Sequence, residues 1–446
     1  MSTKLTKYLL FGIILFNLGC ATYPISRKAH HHLDDLVRES PLFSSNFTGF
    51  ALFDPAIEHM LYQHQADKYF TPASNTKIYT LYTALRILGD SLPHLHYQDW
   101  GDSLLIWGTG NPLFLHPDFP EDHTVLNFLR AQQKPLLYTD QPFRDERFGA
   151  GWMWDDFPYA FQAEKTSLPI YGNLVHFKST PLGIGIRTYP DYFQAFTHFD
   201  STLTSNYATI WRSEWGNTFR YNTLAAQAQN LERAMPFSYN RNLFTQLLSD
   251  TAGVRIAPTN LAPDSLRPIQ TLYRSLPDTM YRCLMQESDN FIAEQLLLMC
   301  SDKVFGFQNT SKIIDYAQKE IFNNAPDELR WYDGSGITRY NLFTPRTTIH
   351  VLNLLYQQLN HERLLSIFPA GGRSGTIQSW YPGVGKKPYV FAKTGTLRGT
   401  HALSGYLIAN SGKTLIFSFM HNNFPTNTKP YKEEMQKVLE WIRDNF

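Results

Sequence analysis

The chain has 446 residues, 43% of them hydrophobic and only 18% charged, so it can bury a large core spread over two or three domains. A formal net charge of +1 gives no electrostatic basis for binding nucleic acid or an acidic polymer, which removes those partner classes. The 25 Tyr, 32 Phe and 9 Trp are compatible with sugar-contacting surfaces, and large apolar cores account for them at least as well.

Residues 1–20 read as an export signal. Lys4 and Lys7 charge its start, Tyr8 to Leu18 is almost wholly apolar, and the run is too short to span a bilayer comfortably. Asn17-Leu18-Gly19-Cys20 resembles a bacterial lipobox, with Asn17 where leucine is usual. It predicts lipidation at Cys20 and a mature protein tethered to a membrane outside the cytoplasm; the competing reading is a plain secretory signal. His30-His31-His32 reads as a solvated linker.

Residues 47–70 read as a hairpin: Phe47 to Phe53, a turn near Asp54-Pro55, then Met60 to Gln63. A helix follows, with Thr71 as N-cap, Pro72 at its first position and Gly89 as its stop. Ile78, Leu81, Leu85 and Leu88 recur at helical spacing, and Ser74 and Lys77 share one face. After Tyr97 the texture turns to short strand-like segments: Leu104 to Trp107, Leu174 to Phe177, Ile184 to Arg187 and Phe219 to Tyr221. Residues 95–271 thus read as a mostly-β insertion that splits another domain.

From about residue 272 helical spacing returns, with helices expected over Asp278 to Gln286, Phe291 to Cys300, Ile313 to Phe322 and Thr347 to Gln358. The end alternates strands (Val390 to Leu397, Leu403 to Ala409, Thr414 to His421) before an amphipathic helix from Lys432 to Arg443. Strands at both ends around a helical block predict one α/β sheet built from residues 21–94 and 272–446. On one continuous helix Cys283 and Cys300 would lie about 25 Å apart, beyond disulfide reach, so free thiols are expected. No CxxC or His-x-x-x-His pattern suggests a metal, and no cofactor is implied.

A serine becomes a nucleophile only when a base takes its proton, and a lysine is that base only when its pKa is depressed. Ser74-Asn75-Thr76-Lys77 has that spacing and is the only Ser-x-x-Lys in the chain. Alone it is weak, because about one or two matches are expected by chance at this length. Two further motifs follow in order, Ser288-Asp289-Asn290 and Lys393-Thr394-Gly395-Thr396. Singly each reads as a helix cap or a strand with an exposed lysine. The ordered triple is the signature of serine β-lactamases and penicillin-binding proteins.

The chain resembles the D-alanyl-D-alanine carboxypeptidase/endopeptidase family, the penicillin-binding protein 4-like enzymes. The long gap between Ser74 and Ser288 is similar to that family's insertion. Gly149-Ala150-Gly151-Trp152-Met153-Trp154-Asp155-Asp156 resembles a Gly-Trp-x-Trp-x-Asp segment of it, and Asp333-Gly334-Ser335-Gly336, then Arg339-Tyr340-Asn341, resembles the family's Asp-Gly-Ser-Gly loop. The resemblance implies a β-lactamase-like transpeptidase domain, a sheet flanked by helices, carrying the large insertion. It implies a periplasmic enzyme acting on peptidoglycan stem peptides through an acyl-enzyme, with β-lactams as covalent inhibitors. Ser74 would attack the carbonyl between two terminal D-alanines, Lys77 would accept its proton, and Ser288 would relay one to the departing amine. Asn290 would orient Lys77 and the substrate amide. Lys393 and the hydroxyls of Thr394 and Thr396 would bind the terminal carboxylate beside Gly395. Backbone N–H groups of Ser74 and Thr396 would form the oxyanion hole. Asp156, or else Asp155, would face the amino end of the stem, against the alternative of a solvated turn carboxylate. Two other readings remain: a serine β-lactamase or esterase on the same fold, and a lipid-anchored binding protein that has lost catalysis.

Overall fold

The structure, a computed structural model, describes residues 26–120, 122–180, 185–275 and 277–446. The export signal, Cys20 and Ile184 lie outside the described residues.

A five-stranded antiparallel sheet is built from both ends of the chain. Its strands are β1 (Phe47–Asp54), β2 (His59–His64), β3 (Val390–Leu397), β4 (Thr400–Ile408) and β5 (Thr414–Asn422), in spatial order β3-β4-β5-β1-β2. The side-chain alternation of strands divides them between two cores. Ala51, Tyr406 and Ile416 face a helical layer, while Phe50, Leu52, Leu403, Leu407, Phe417 and Phe419 face the C-terminal helix.

The helical layer contains α1 (Thr76–Ile87), α2 (Asn290–Phe305) and α3 (Pro345–Gln358), and α4 (Lys429–Asn445) covers the other face. Thr76 through Leu85 are all buried, so α1 is a central helix that meets solvent only in its last turn, at Arg86. Ile78 and Leu81 are fully buried, and truncating either to alanine costs about 2–5 kcal/mol. Thr344 caps α3 by accepting from Thr347 N–H, and Pro345 occupies the first turn, where a missing N–H costs nothing.

Thr71 and Pro72 do not start α1. Ala73–Asn75 form a 3₁₀ turn and the α-helix begins at Thr76, because Ala73 takes a left-handed φ of 48° that breaks the helical path. His30-His31-His32 is not a linker but part of a short helix, Arg27–Leu33, anchored by the buried Leu33; His32 packs on Trp441. The strand expected over 184–187 is Ile186–Tyr189.

The chain between the two segments that build this sheet forms a separate core around Ile106, Tyr138, Phe177 and Phe244. A second five-stranded sheet there runs Ile256–Pro258, Leu136–Tyr138, Leu104–Gly108, Leu92–Asp99, Gln270–Arg274. Its outer pair, Leu92–Asp99 with Gln270–Arg274, brings the two ends of the intervening segment side by side. This region also carries helices at Thr124–Arg130 and Arg241–Ala252, so it is less purely β than its sequence texture suggests. Asn240 caps the second and Gly253 ends it.

Polar anchors join this region to the helical layer. Buried Gln295 on α2 donates to Gly110 C=O at 2.7 Å and Thr166 C=O at 3.0 Å. Buried Lys165 donates to Asp145 at 2.9 Å and to Thr310 Oγ1 at 3.2 Å.

Candidate active site

Ser74 sits half-buried in the 3₁₀ turn ahead of α1, facing the edge strand β3. Asn75 Nδ2 donates to Lys393 C=O at 2.9 Å, and Thr76 Oγ1 donates to Ala73 C=O at 2.9 Å. Two glycines make the turn possible. A Cβ on Gly395 would lie 2.3 Å from Pro72 O and 3.0 Å from Ser74 N; one on Gly336 would lie 1.9 Å from Ala73 O. The left-handed Ala73 costs about 1–3 kcal/mol and persists because the backbone is clamped from both sides.

Lys77 is fully buried one turn later. Its Nζ donates to Ser74 Oγ at 3.1 Å, Asn290 Oδ1 at 2.6 Å and Ser335 C=O at 2.7 Å. Burial pushes its pKa down, the carboxylates of Asp333, Asp289 and Glu294 pull it back, and it falls to about 8. Asn290 is oriented by its other end, where Nδ2 donates to Phe161 C=O at 3.1 Å. Asp289 caps α2 by accepting from Ile292 N–H, and Ser288 before it takes a left-handed φ of 62°, which turns its hydroxyl toward β3.

There Lys393, also fully buried, donates to Ser288 Oγ at 2.9 Å and to Thr394 C=O at 2.9 Å. Burial and the nearby charge of Lys77 push its pKa well below the usual lysine value. Thr394 Oγ1 lies 2.7 Å from Thr376 Oγ1, and exposed Thr396 pairs its Oγ1 with His401 Nδ1 at 2.9 Å. The three motifs therefore meet: Ser74 and Lys77, Ser288 and Asn290, Lys393 through Thr396 form one connected site.

Asp156 stands apart from that network. It is half-buried in the turn Trp154–Asp156, its carboxyl raised by burial and then by the charge of Asp155. Trp152 of the same segment reaches in, donating from Nε1 to Asp333 Oδ2 at 3.0 Å. Asp333 also accepts from Gly336 N–H, Thr338 N–H and Asn341 Nδ2, which fixes the loop that presents Ser335 C=O to Lys77.

Glu294 is a residue that motif reading passes over. It lies four positions after Asn290 on α2, hence on the same face, and accepts from Ser335 N–H at 2.8 Å. Burial, then the charge of Asp333, raises its carboxyl to about 7. The spacing from Asn290 was the available signal. Thr376 and His401 carried none, because only the fold brings them to β3, one from the turn Gly375–Ile377 and the other from β4. Among the described residues no group of three His, Cys, Asp or Glu side chains is placed to hold a metal ion. Cys283 and Cys300 are free thiols, half-buried and buried.

An antiparallel sheet between a helical layer and a C-terminal helix, with a serine–lysine pair opposite a Lys-Thr-Gly edge strand, defines the class: a penicillin-binding, β-lactamase-like fold. The chain belongs to the D-Ala-D-Ala carboxypeptidase 3 (S13) family, whose model matches residues 29–445. It is similar to the D-alanyl-D-alanine carboxypeptidase DacB of Haemophilus influenzae, with 21% identity over 95% of each chain. The crystal structure of penicillin binding protein 4 from Haemophilus influenzae aligns over 92% of this chain and 99% of that one, with a TM-score of 0.73 and 18% identity. The same protein complexed with a β-lactam aligns over 93% and 99%, with a TM-score of 0.68 and 17% identity.

Proposed function

We propose that this chain is a serine-type D-alanyl-D-alanine carboxypeptidase that cleaves peptidoglycan stem peptides through an acyl-enzyme, with endopeptidase cleavage of cross-links within reach of the same chemistry. The observation that carries the reading is the set of acceptors around Lys77. Asn290 Oδ1 and Ser335 C=O can only accept, so a neutral Lys77 keeps its two N–H groups on them. Its lone pair is then aimed at Ser74 Oγ, the remaining neighbour and one with a proton to give.

Ser74 Oγ attacks the carbonyl between the terminal D-alanines as its proton passes to Lys77. The oxyanion develops between the backbone N–H groups of Ser74 and Thr396, which the missing Cβ of Gly395 lets approach one another. Ser288, bridged to Lys393, relays a proton to the departing D-alanine amine. Lys393, Thr394 and Thr396 hold the terminal carboxylate by charge-assisted hydrogen bonds. Water then resolves the ester on Ser74. Asp156 is assigned to the amino end of the stem, supported by its segment's attachment to the site through Trp152.

In this reading residues 21–94 and 272–446 form the catalytic domain and 95–271 the inserted one, supported by their separate cores. Export to the periplasm and a lipid anchor on Cys20 belong to the same proposal, on the strength of the signal sequence. Among the described residues no helix is long and apolar enough to cross a membrane. Mass spectrometry of the mature N-terminus tests the anchor, and a free amine at any residue but Cys20 would refute it.

The activity is tested with a fluorescent penicillin, whose leaving amine stays tethered in the acyl-enzyme. One label per chain is expected on the peptide containing Ser74. Ser74→Ala should abolish both labelling and D-alanine release from a pentapeptide; labelling that survives it overturns the assignment.

A further inference from the structure

Four side chains form one row across the antiparallel sheet. Thr48 on β1 lies opposite His421 on β5, His421 opposite His401 on β4, and His401 opposite Thr396 on β3. The row lies on the face covered by α4, one residue out of step with Lys393 and Gly395. Thr48 Oγ1 is 2.9 Å from His421 Nδ1, and Thr396 Oγ1 is 2.9 Å from His401 Nδ1. Both imidazoles are fully buried, and neither Nε2 has a hydrogen-bond partner among the described residues.

Burial drops His401 to about 3 and His421 well below its usual value, so each ring is neutral and carries one proton. The first tautomer follows from Thr48, whose hydroxyl donates to Phe43 C=O at 3.1 Å. Thr48 has no second proton, so His421 Nδ1–H donates to it. For His401 there are two arrangements. A proton on Nε2 would leave a buried N–H with no acceptor, the rarer kind of unsatisfied group, and Thr396 would have to point its hydroxyl proton at Nδ1. A proton on Nδ1 donates to Thr396 Oγ1 and leaves the hydroxyl proton facing the open side of β3.

We propose that His401 is a positioning residue for the substrate's terminal carboxylate: its Nδ1–H donates to Thr396 Oγ1 and so turns the Thr396 hydroxyl outward as a donor. The inference rests on the reading of Thr396 as part of the carboxylate site. A carboxylate only accepts hydrogen bonds, so a hydroxyl that met it with a lone pair would repel it. A C-terminal carboxamide can offer either its oxygen or its NH₂ group and is less sensitive to which way Thr396 points. The buried imidazole thereby acts as a specificity element for the free acid, two side chains removed from the nucleophile.

The test begins with ¹⁵N-histidine NMR of the unsubstituted protein, with the His401 ring assigned by its loss in His401→Asn. A pyrrole-type Nδ1 and a pyridine-type Nε2 are expected; the reverse pattern refutes the proposal independently of any kinetic measurement. In kinetics, His401→Leu should lower kcat/KM for acyl-D-alanyl-D-alanine by about fivefold, the worth of one neutral hydrogen bond, chiefly through KM. The loss should shrink for the C-terminal amide. His401→Asn, which keeps an N–H near the Nδ1 position, should restore most of it. In a Thr396→Val background, His401→Leu should add nothing. If Thr396→Val leaves the acid-over-amide preference intact, the reading of Thr396 fails. If Thr396→Val reduces that preference and His401→Leu does not, the proposal for His401 alone fails.

Discussion

Lys77 and Lys393 are both fully buried, within reach of each other's charge, yet buried in different company. Lys77 lies among the carboxylates of Asp333, Asp289 and Glu294, which hold its pKa near 8 against the pull of burial. Among the described residues Lys393 has only a hydroxyl and a carbonyl as acceptors, and the charge bearing on it, Lys77, is of its own sign. The difference separates two tasks that one residue type can perform. A lysine balanced by carboxylates exchanges a proton near neutral pH, as a base must. A lysine with no counter-ion is completed when an anion arrives, and in the proposed function a substrate carboxylate supplies it.

The largest expected effect breaks the first half of that contrast. Lys77→Ala should slow acylation by a fluorescent penicillin about 10²–10⁴-fold, the usual worth of a positioned base. Lys77→Arg should be nearly as slow, because a guanidinium does not give up its proton. Stopped-flow acylation decides it, and an active Lys77→Arg would remove the base role.

A smaller effect addresses the other lysine. Lys393→Ala should lose a charge-assisted contact of about 1.5–3 kcal/mol, one to two decades in kcat/KM on free-acid substrates. Lys393→Arg should keep more activity than Lys77→Arg, since only charge is required there. Equal loss on acid and amide substrates would contradict a carboxylate role.

The smallest effect sharpens the contrast. Acylation should rise with pH through about 8 as Lys77 loses its proton. Glu294→Gln removes a negative charge that favours the protonated lysine, while the glutamine oxygen still accepts from Ser335 N–H. The midpoint should therefore move down, by less than about one unit, with KM for the free acid unchanged. A midpoint that stays put or rises would show that Glu294 does not act on Lys77.

The residues that meet at this site were legible because they sit in three short motifs whose internal spacing survives any fold. The hairpin of β1 and β2, the core of α1 and the three closing strands were legible too, from periodicity and turn residues. What periodicity missed depended on distant partners. Ala73 has no local reason to adopt a left-handed backbone; Gly336 and Gly395, far along the chain, impose it. Leu92–Asp99 hid its strand behind Pro93 and two histidines, although Arg241–Ala252 had a readable cap at Asn240 and stop at Gly253. His401 could not have been found, because its meeting with Thr396 is a matter of register between β3 and β4.

The clamp beneath the nucleophile also limits where this enzyme can change. At positions 336 and 395 not even a methyl group fits without moving the main chain that carries Ser74. On the proposed function, a lineage selected to escape β-lactams cannot reshape that turn by small steps, since each first step displaces Ser74, nucleophile and drug target at once. Variation is confined to places where side chains still have room, such as the exposed, stacked pair of Tyr159 and Phe161, the second of which accepts from Asn290.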